Sequence, residues 1–320
     1  MKADSQVSIV IPNYNGMAFM EACMQAVLRD APKAELIVVD NASKDGSLEY
    51  TREHFPEARV MAMDQNYGFA RAVNEGILAA TRPYVILLNN DTEVEPGFTD
   101  ALVGALEADA RAFSAQAKLI QLQDPLKLDD AGNFYCALGW AFARGKDKPS
   151  ADYEEQDEVF AACAGAAVYR KALFEEIGYF DEAHFAYLED IDIGWRARIF
   201  GYRNLYVPKA RVLHAGSGTS GSRYNEFKVT LSSRNNIWII YKNMPLLQLV
   251  LNLPFLVVGF GAKQLFFCKK KLGGTYARGI LKGIRTCDRE KKVRFMWKHF
   301  PAYARLQWEL WRNIARKIIV

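Results

Sequence analysis

The chain is poor in the residues that build disulfide frameworks and metal fingers. Its 320 residues include five cysteines. Cys23, Cys136, Cys163, Cys268 and Cys287 are scattered, with no CxxC pair, so metal-finger spacing is absent and reduced thiols in a cytosolic compartment are expected. Only four histidines are present. No G-x-G-x-x-G follows the first apolar run, which removes the main support for a dinucleotide-binding loop. No G-x-x-x-x-G-K-[ST] occurs, which excludes a P-loop. The opening MKADSQVSIVIPNYNG has an apolar run of only about five residues, so no secretory leader is expected. No clean apolar run reaches the roughly 20 residues of a spanning helix. Residues 245–262 carry no charge, but Gln248, Asn252 and Pro254 interrupt them. Internal repeats and low-complexity tracts are also missing.

What remains is an ordinary globular composition, 50% hydrophobic and 24% charged, with an uneven charge distribution. After residue 235 there are 17 Lys/Arg against 3 Asp/Glu; before it, 24 against 34. A basic tail on an acidic body implies different partners for the two parts. A boundary is therefore placed near 235, giving a body over 1–235 and a tail over 236–320.

Short β-branched runs alternate with helical patterns along the body. Strands are expected at 7–12, 36–40, 59–63 and 84–88, with helices between them. This is an α/β arrangement, a mainly parallel sheet with helices on both faces. Ligands of such sheets sit outside the carboxyl ends of the strands. Asn13, Asp40, Asn66 and the run Asn89, Asn90, Asp91 each follow an apolar run there. Turn chemistry explains one or two such residues; their repetition points to a shared site. The stretch LLNNDTEVEPG (87–97) is the densest, and suits a divalent cation that takes most of its ligands from phosphates. Farther on, Glu189, Asp190 and Asp192 open a helical segment, where the dipole favours carboxylates.

The motifs VSIVIPNYNG, IVVDNASKDGS, NYGFARAVNEGI, LLNNDTEVEPG and GAAVYRKALFEEIGYFDEAHFAYLEDIDIGWRARIFGYRNLYVPKARVLHAGSG resemble, in that order, glycosyltransferase family 2. These are inverting enzymes of the Rossmann-like GT-A fold, and the chain looks most like their rhamnosyltransferase-like branch in bacterial surface polysaccharide synthesis. The resemblance covers residues 7 to about 220, with a nucleotide-sugar half to about 115 and an acceptor half from 116 to 235. It implies that Pro12 and Asn13 line the nucleotide pocket and that Asp40 bonds the base. Asn66, Gly68 and Arg71 would lie near base and ribose. Asn89 and Asp91 match the family's D-x-D with Asn90 between them, and the first acid is replaced here. Asp91 and His214 would hold Mg2+ or Mn2+, and Asp190 would be the catalytic base. Glu189, Asp192 and Trp195 are candidates for the acceptor site, Gly216–Gly221 for a closing flap and Arg223 for a phosphate contact.

The resemblance implies a nucleotide-sugar donor, dTDP-rhamnose or a UDP-sugar, and a lipid-linked or polysaccharide acceptor. The tail adds a basic helical pattern in which Tyr303, Leu306, Leu310, Ile314 and Ile318 share one face, with Trp297, Trp308 and Trp311 nearby. Such helices lie at membrane interfaces, and polybasic segments are drawn to anionic lipid. Peripheral attachment to the inner face of the cell membrane is expected, with a single spanning hairpin still open; a helical subdomain packed on the body and a homo-oligomer contact are the alternative uses of the tail, and nucleic acid is not expected. Two other functions fit less well. A sugar-1-phosphate nucleotidylyltransferase would carry a basic, glycine-rich loop after the first strand, which IPNYNGMAF is not. A non-catalytic scaffold would have no need to keep Asp91, Asp190 and His214 together.

Overall fold

The computed structural model describes residues 3–216 and 224–319; the flap candidate from 217 onward and Arg223 lie outside them. The strands are β1 (Val7–Asn13), β2 (Glu35–Asp40), β3 (Arg59–Ala62), β4 (Tyr84–Leu88), β5 (Thr92–Val94), β6 (Ala112–Gln121), β7 (Leu128–Asp130), β8 (Asn133–Cys136), β9 (Trp140–Ala143), β10 (Asp157–Val159), β11 (Ala166–Arg170) and β12 (Arg203–His214). The helices are α1 (Met17–Asp30), α2 (Ser47–His54), α3 (Phe69–Ala79), α4 (Phe98–Ala108), α5 (Phe174–Ile177), α6 (Glu189–Ile199), α7 (Glu226–Asn243), α8 (Leu246–Lys269), α9 (Gly273–Arg285) and α10 (Phe300–Ile319).

The main sheet runs β10-β12-β6-β11-β4-β1-β2-β3. It is parallel across β3-β2-β1-β4, as the strand–helix alternation predicts. Beyond β4 it becomes mixed: β11 enters antiparallel to both β4 and β6, while β12 is again parallel to β6. The sequence-based expectation of a mainly parallel sheet therefore holds for the first half and gives way to a mixed sheet in the second.

Alternation along the central strands divides the core. Ile9, Ile11, Val38, Ile86 and Leu88 join α1 and α4 in one cluster, and Val10, Ile37, Val39, Val85 and Leu87 join α3 and α6 in another. Both faces are thus covered, which is why these strands read as unbroken apolar runs. Each such side chain, fully buried, contributes about 1.5–3 kcal/mol.

A third cluster joins the β8–β9 hairpin and α6 to α7, α8 and α10. It overturns one reading of the tail. Tyr303, Leu306 and Leu310 are buried in the cluster that holds Tyr135 and Trp195 of the body, so this part of the apolar stripe of α10 is a packing face, while Ile318 at its end is exposed. The charge boundary near 235 falls inside α7, which runs unbroken from 226 to 243. Among the described residues one helix, α8, is long and apolar enough to cross a membrane, and only 22% of its most apolar window is buried. Its polar interruptions face the body: Gln248 donates to the Tyr303 carbonyl, and Asn252 and Gln307 exchange amide hydrogen bonds of 2.8 and 2.9 Å. Its outer side leaves Leu246, Leu247, Val250, Leu253, Val257 and Val258 exposed.

Candidate active site

The strand ends of β1, β2 and β4 converge on an amide network. Asn13, the last residue of β1, donates to Asp40 at 2.7 Å and Ser47 at 2.8 Å, and accepts from Asn90 at 2.7 Å. Gly16 is required beside it, because a Cβ there would fall 1.9 Å from Asn90 Nδ2. Asp40 is fully buried, with Oδ1 also accepting from the Ser43 amide at 3.0 Å. In this arrangement it fixes Asn13 and does not reach into an open cleft. Next along, Asn41 donates to Asn66 and to the Gly68 carbonyl, while Asn66 accepts from the Gly68 amide. Pro12 lies half-buried one residue before Asn13. Arg71 is exposed and pairs with Glu75 at 2.6 Å and Glu182 at 2.9 Å. That pairing occupies its guanidinium at the rim.

Long-range pairing completes the other side. β5 runs antiparallel to β12, setting His214 opposite Thr92 and bonding the Ala215 amide to the Asp91 carbonyl at 2.9 Å. His214 Nε2 then faces Asp91 Oδ1 at 3.3 Å, and Nδ1 bonds Asp129 Oδ2 at 2.8 Å. Burial works to lower the imidazole pKa, yet the Asp129 and Asp91 bonds override it and raise the ring to about 10. Burial likewise opposes ionisation of Asp129, but His214 and Lys146 hold it near 2.

This donor set fits a divalent cation. An outer carboxylate, Asp129, sets the ring through Nδ1, so Nε2 and Asp91 would share a cation once Nε2 gives up its proton. No cluster of three or more His, Cys, Asp or Glu among the described residues is arranged to hold a metal alone. Phosphate oxygens would have to supply the remaining ligands. Asn89 stands beside the pair. Its amide N–H donates to the Gly165 carbonyl at 2.8 Å, and a Cβ at Gly165 would lie 2.9 Å from its Nδ2.

Asp129 begins a segment, 129–133, that sequence reasoning missed and that ties this pair to the acidic helix start. Asp130 Oδ1 accepts from Gln116 and from the Gly132 amide, and Asn133 Nδ2 donates to Asp190 Oδ2 at 3.2 Å. The acidic doublet before a glycine in DDAGN was the available signal. Asp190 opens α6, accepting from the Ile191 amide at 2.7 Å. Burial pushes its carboxyl well above the usual range, and the charge on Asp130 adds to that. Asp130 itself is raised to about 6 by burial. Glu189 is pushed up by burial and then by Asp190, and its Oε2 has no hydrogen-bond partner.

Two acceptor candidates are corrected. Trp195 is fully buried, 5.1 Å from the Tyr135 ring and 5.2 Å from Phe160, so it is core and cannot stack on a sugar. Asp192 is also fully enclosed, taking Arg196 at 3.1 Å, Lys242 at 2.8 Å and Asn243 at 2.8 Å. Those cations hold it far below the ordinary carboxylate range against its burial. It fastens α7 to α6. A cavity of about 570 Å³ lined by Asn74, Arg196, Lys242 and Arg294 includes none of the strand-end residues, so depth alone does not mark the site.

The backbone before Asp190 is strained. Phe185, Tyr187 and Leu188 all have positive φ, at 64°, 71° and 69°. Phe185 (ψ −63°) forms a γ-turn of the rare hand, closed by the Ala186 amide on the His184 carbonyl at 2.8 Å. Each such residue costs about 1–3 kcal/mol and persists only where its surroundings over-determine it.

Comparison with known proteins places this arrangement. Residues 8–178 match the family described as Glycosyl transferase family 2. The chain is 28% identical over 212 residues, 58% of its own length and 68% of the other, to the N-acetylglucosaminyl-diphospho-decaprenol L-rhamnosyltransferase of Mycobacterium tuberculosis. The fold resembles GalNAc-T7 solved with UDP, GalNAc and Mn2+ (TM-score 0.61, 19% identity), covering 73% of this chain and 47% of that one. It also resembles the mannosyltransferase PcManGT from Pyrobaculum calidifontis solved with GDP-Man and Mn2+ (TM-score 0.55, 16% identity), covering 94% and 78%. The architecture is that of the GT-A fold with a helical C-terminal region, and the chain belongs to glycosyl transferase family 2: it is a transferase.

Proposed function

We propose that the protein moves a sugar, with inversion, from a nucleotide sugar to a hydroxyl of a lipid-linked or polysaccharide acceptor. dTDP-rhamnose and UDP-sugars are the donors to try first. The observation that carries this is the 129–133 segment. It joins Asp129, and through it the His214–Asp91 pair, to Asn133 and the raised carboxyl of Asp190.

The partly exposed Asn66 and Asn89 bind and orient the nucleotide, and the buried Asp40–Asn13–Asn90 network holds the pocket behind them. Pro12 and the Gly68 turn shape that pocket. Asp91 and His214 hold Mg2+ or Mn2+, which supplies positive charge against the departing diphosphate. Asp190 takes the proton of the incoming hydroxyl. Its raised pKa brings it closer to neutral pH, where a base gains most driving force. Glu189, buried with an unbonded oxygen, lies beside Asp190.

The exposed apolar side of α8, with Lys269–Lys271 at its end, attaches the protein peripherally to the anionic inner face of a membrane. The relative that acts on a diphospho-decaprenol substrate supports a lipid-linked acceptor.

The test is donor hydrolysis and transfer across a panel of nucleotide sugars, with Asp190→Asn and Asp91→Ala as variants. Asp190→Asn should lower turnover about 10²–10⁴-fold while calorimetry shows nucleoside diphosphate still bound. Asp91→Ala should lose the metal dependence of that binding. Full turnover in both variants refutes the assignment.

A further inference from the structure

The strained approach to Asp190 is held from two sides. On the donor side, the Phe185 carbonyl accepts from the Ala70 amide at 3.2 Å. It sits where a Gly68 Cβ would be, at 2.4 Å. On the other side stands α7, in the stretch that carries the change of charge. Asn235 Nδ2 lies within hydrogen-bond distance of three backbone carbonyls, those of His184 at 3.0 Å, Ala186 at 2.9 Å and Tyr187 at 2.7 Å. Arg234 Nη2 donates to the carbonyls of Ala183 and His184, both at 2.9 Å. Arg234 Nε also bonds Asn235 Oδ1 at 2.9 Å, so the two side chains orient each other.

This is more than the turn needs to be satisfied. Carbonyls on an irregular loop are commonly solvated; here two buried side chains gather them. The gathered carbonyls flank and include the left-handed backbone: Tyr187 is held directly, Phe185 lies between the held His184 and Ala186, and Leu188 follows, its carbonyl accepting from the Asp192 amide in the first turn of α6.

The far side of α7 is closed by α9. A Cβ at Gly279 would fall 1.9 Å from Ser233 Oγ, and one at Gly283 would fall 2.8 Å from the Arg234 carbonyl. Trp238 Nε1 bonds the Gly283 carbonyl at 3.2 Å, and Arg234 lies over the Trp238 ring at 4.3 Å. The glycines of α9 therefore let a helix of the basic region press directly on the residues that hold the loop.

We propose that Arg234 and Asn235 are positioning residues for the catalytic base. They hold the 183–188 backbone in its strained path and so aim Asp190, which makes the C-terminal helices part of the catalytic machinery. This rests on Asp190 being the base.

Asn235→Ala and Arg234→Lys test it in the full chain, the second keeping charge and most of the volume. Turnover with a donor accepted by the wild-type chain should fall on the order of 10²-fold for Asn235→Ala and less for Arg234→Lys. The Kd for UDP should stay within about twofold of wild type, because nothing on the strand-end side has moved. The acid limb of the pH–rate profile should also shift. In an Asp190→Asn background Asn235→Ala should cost little more, since both act through one group.

Unchanged turnover and pH profile in both variants overturn the inference, as does a loss that multiplies with that of Asp190→Asn. A loss matched by weakened UDP binding reduces the pair to a structural role and overturns it too. If Asn235→Ala fails to fold, Arg234→Lys decides on the same readouts. A wild-type chain that transfers from no nucleotide sugar sinks the proposed function instead, and an active Asp190→Asn sinks the base assignment alone.

Discussion

The two ends of the site are built on opposite principles. The end formed by β1, β2 and β4 is made mostly of neutral amides, each of which finds a partner: Asn13 bonds Asn90 and the one buried carboxylate there, Asp40, and Asn41 bonds Asn66. The end formed by α6 and the 129–133 segment gathers the buried Asp130 and Glu189 beside a half-buried Asp190, leaves a Glu189 oxygen unbonded, and enters through three left-handed residues. One end is satisfied before any ligand arrives; the other stores unfavourable terms. Burying charge is costly unless it is paired, and stored strain gathers where function requires it. The contrast marks the acidic end as the place where protons move.

The two ends meet at Gly68, so the largest effect is expected there. Gly68→Ala places a Cβ 2.4 Å from the Phe185 carbonyl, at a φ of 86°. It should lower stability by about 1–3 kcal/mol and impair nucleotide binding and turnover together. Thermal unfolding, UDP calorimetry and donor hydrolysis measure the three, and a variant that loses only one separates the ends more cleanly than the structure does.

Glu189→Gln probes the stored cost. The folded-state pKa of Glu189 lies above its unfolded value, so the folded chain keeps a proton that the unfolded chain releases above about pH 4.3. Stability from this carboxyl is present below that pH and is lost as pH rises through the raised value. The variant should therefore be more stable at pH 8, by about 1–2 kcal/mol, and no more stable near pH 4. Denaturant midpoints at the two pH values check the sign.

The smallest effect is expected from Asp130→Asn. Removing a like charge beside Asp190 should move the acid limb of kcat/KM to lower pH, with maximal turnover little changed. A limb that stays in place would show that burial alone sets the base.

The amide end was legible because each of its residues follows its own strand: an apolar run, then Asn or Asp, is a local pattern. The acidic end depends on contacts that sequence spacing does not display. Asp129 meets His214 across 85 residues through the pairing of β6, β7 and β12, and Asn235 reaches Tyr187 from α7, a helix that the charge boundary near 235 cuts across. Asp192 and Trp195 were misread because a helix start shows which residues carry acids or rings, not which side the core covers. The same limit applied to α10, whose periodic face was visible in the sequence while its cover, the β8–β9 hairpin and α6, was not.

Gln248 and Asn252, which break the apolar run of α8, form its seam with α10. To leave that seam and stand across a bilayer, α8 would have to strand two primary amides in hydrocarbon, at several kcal/mol apiece. The two amides therefore tie α8 along α10. Under the proposed attachment, the outer side of α8 would release a membrane without leaving that seam, and the enzyme would come and go from the surface with its active site intact.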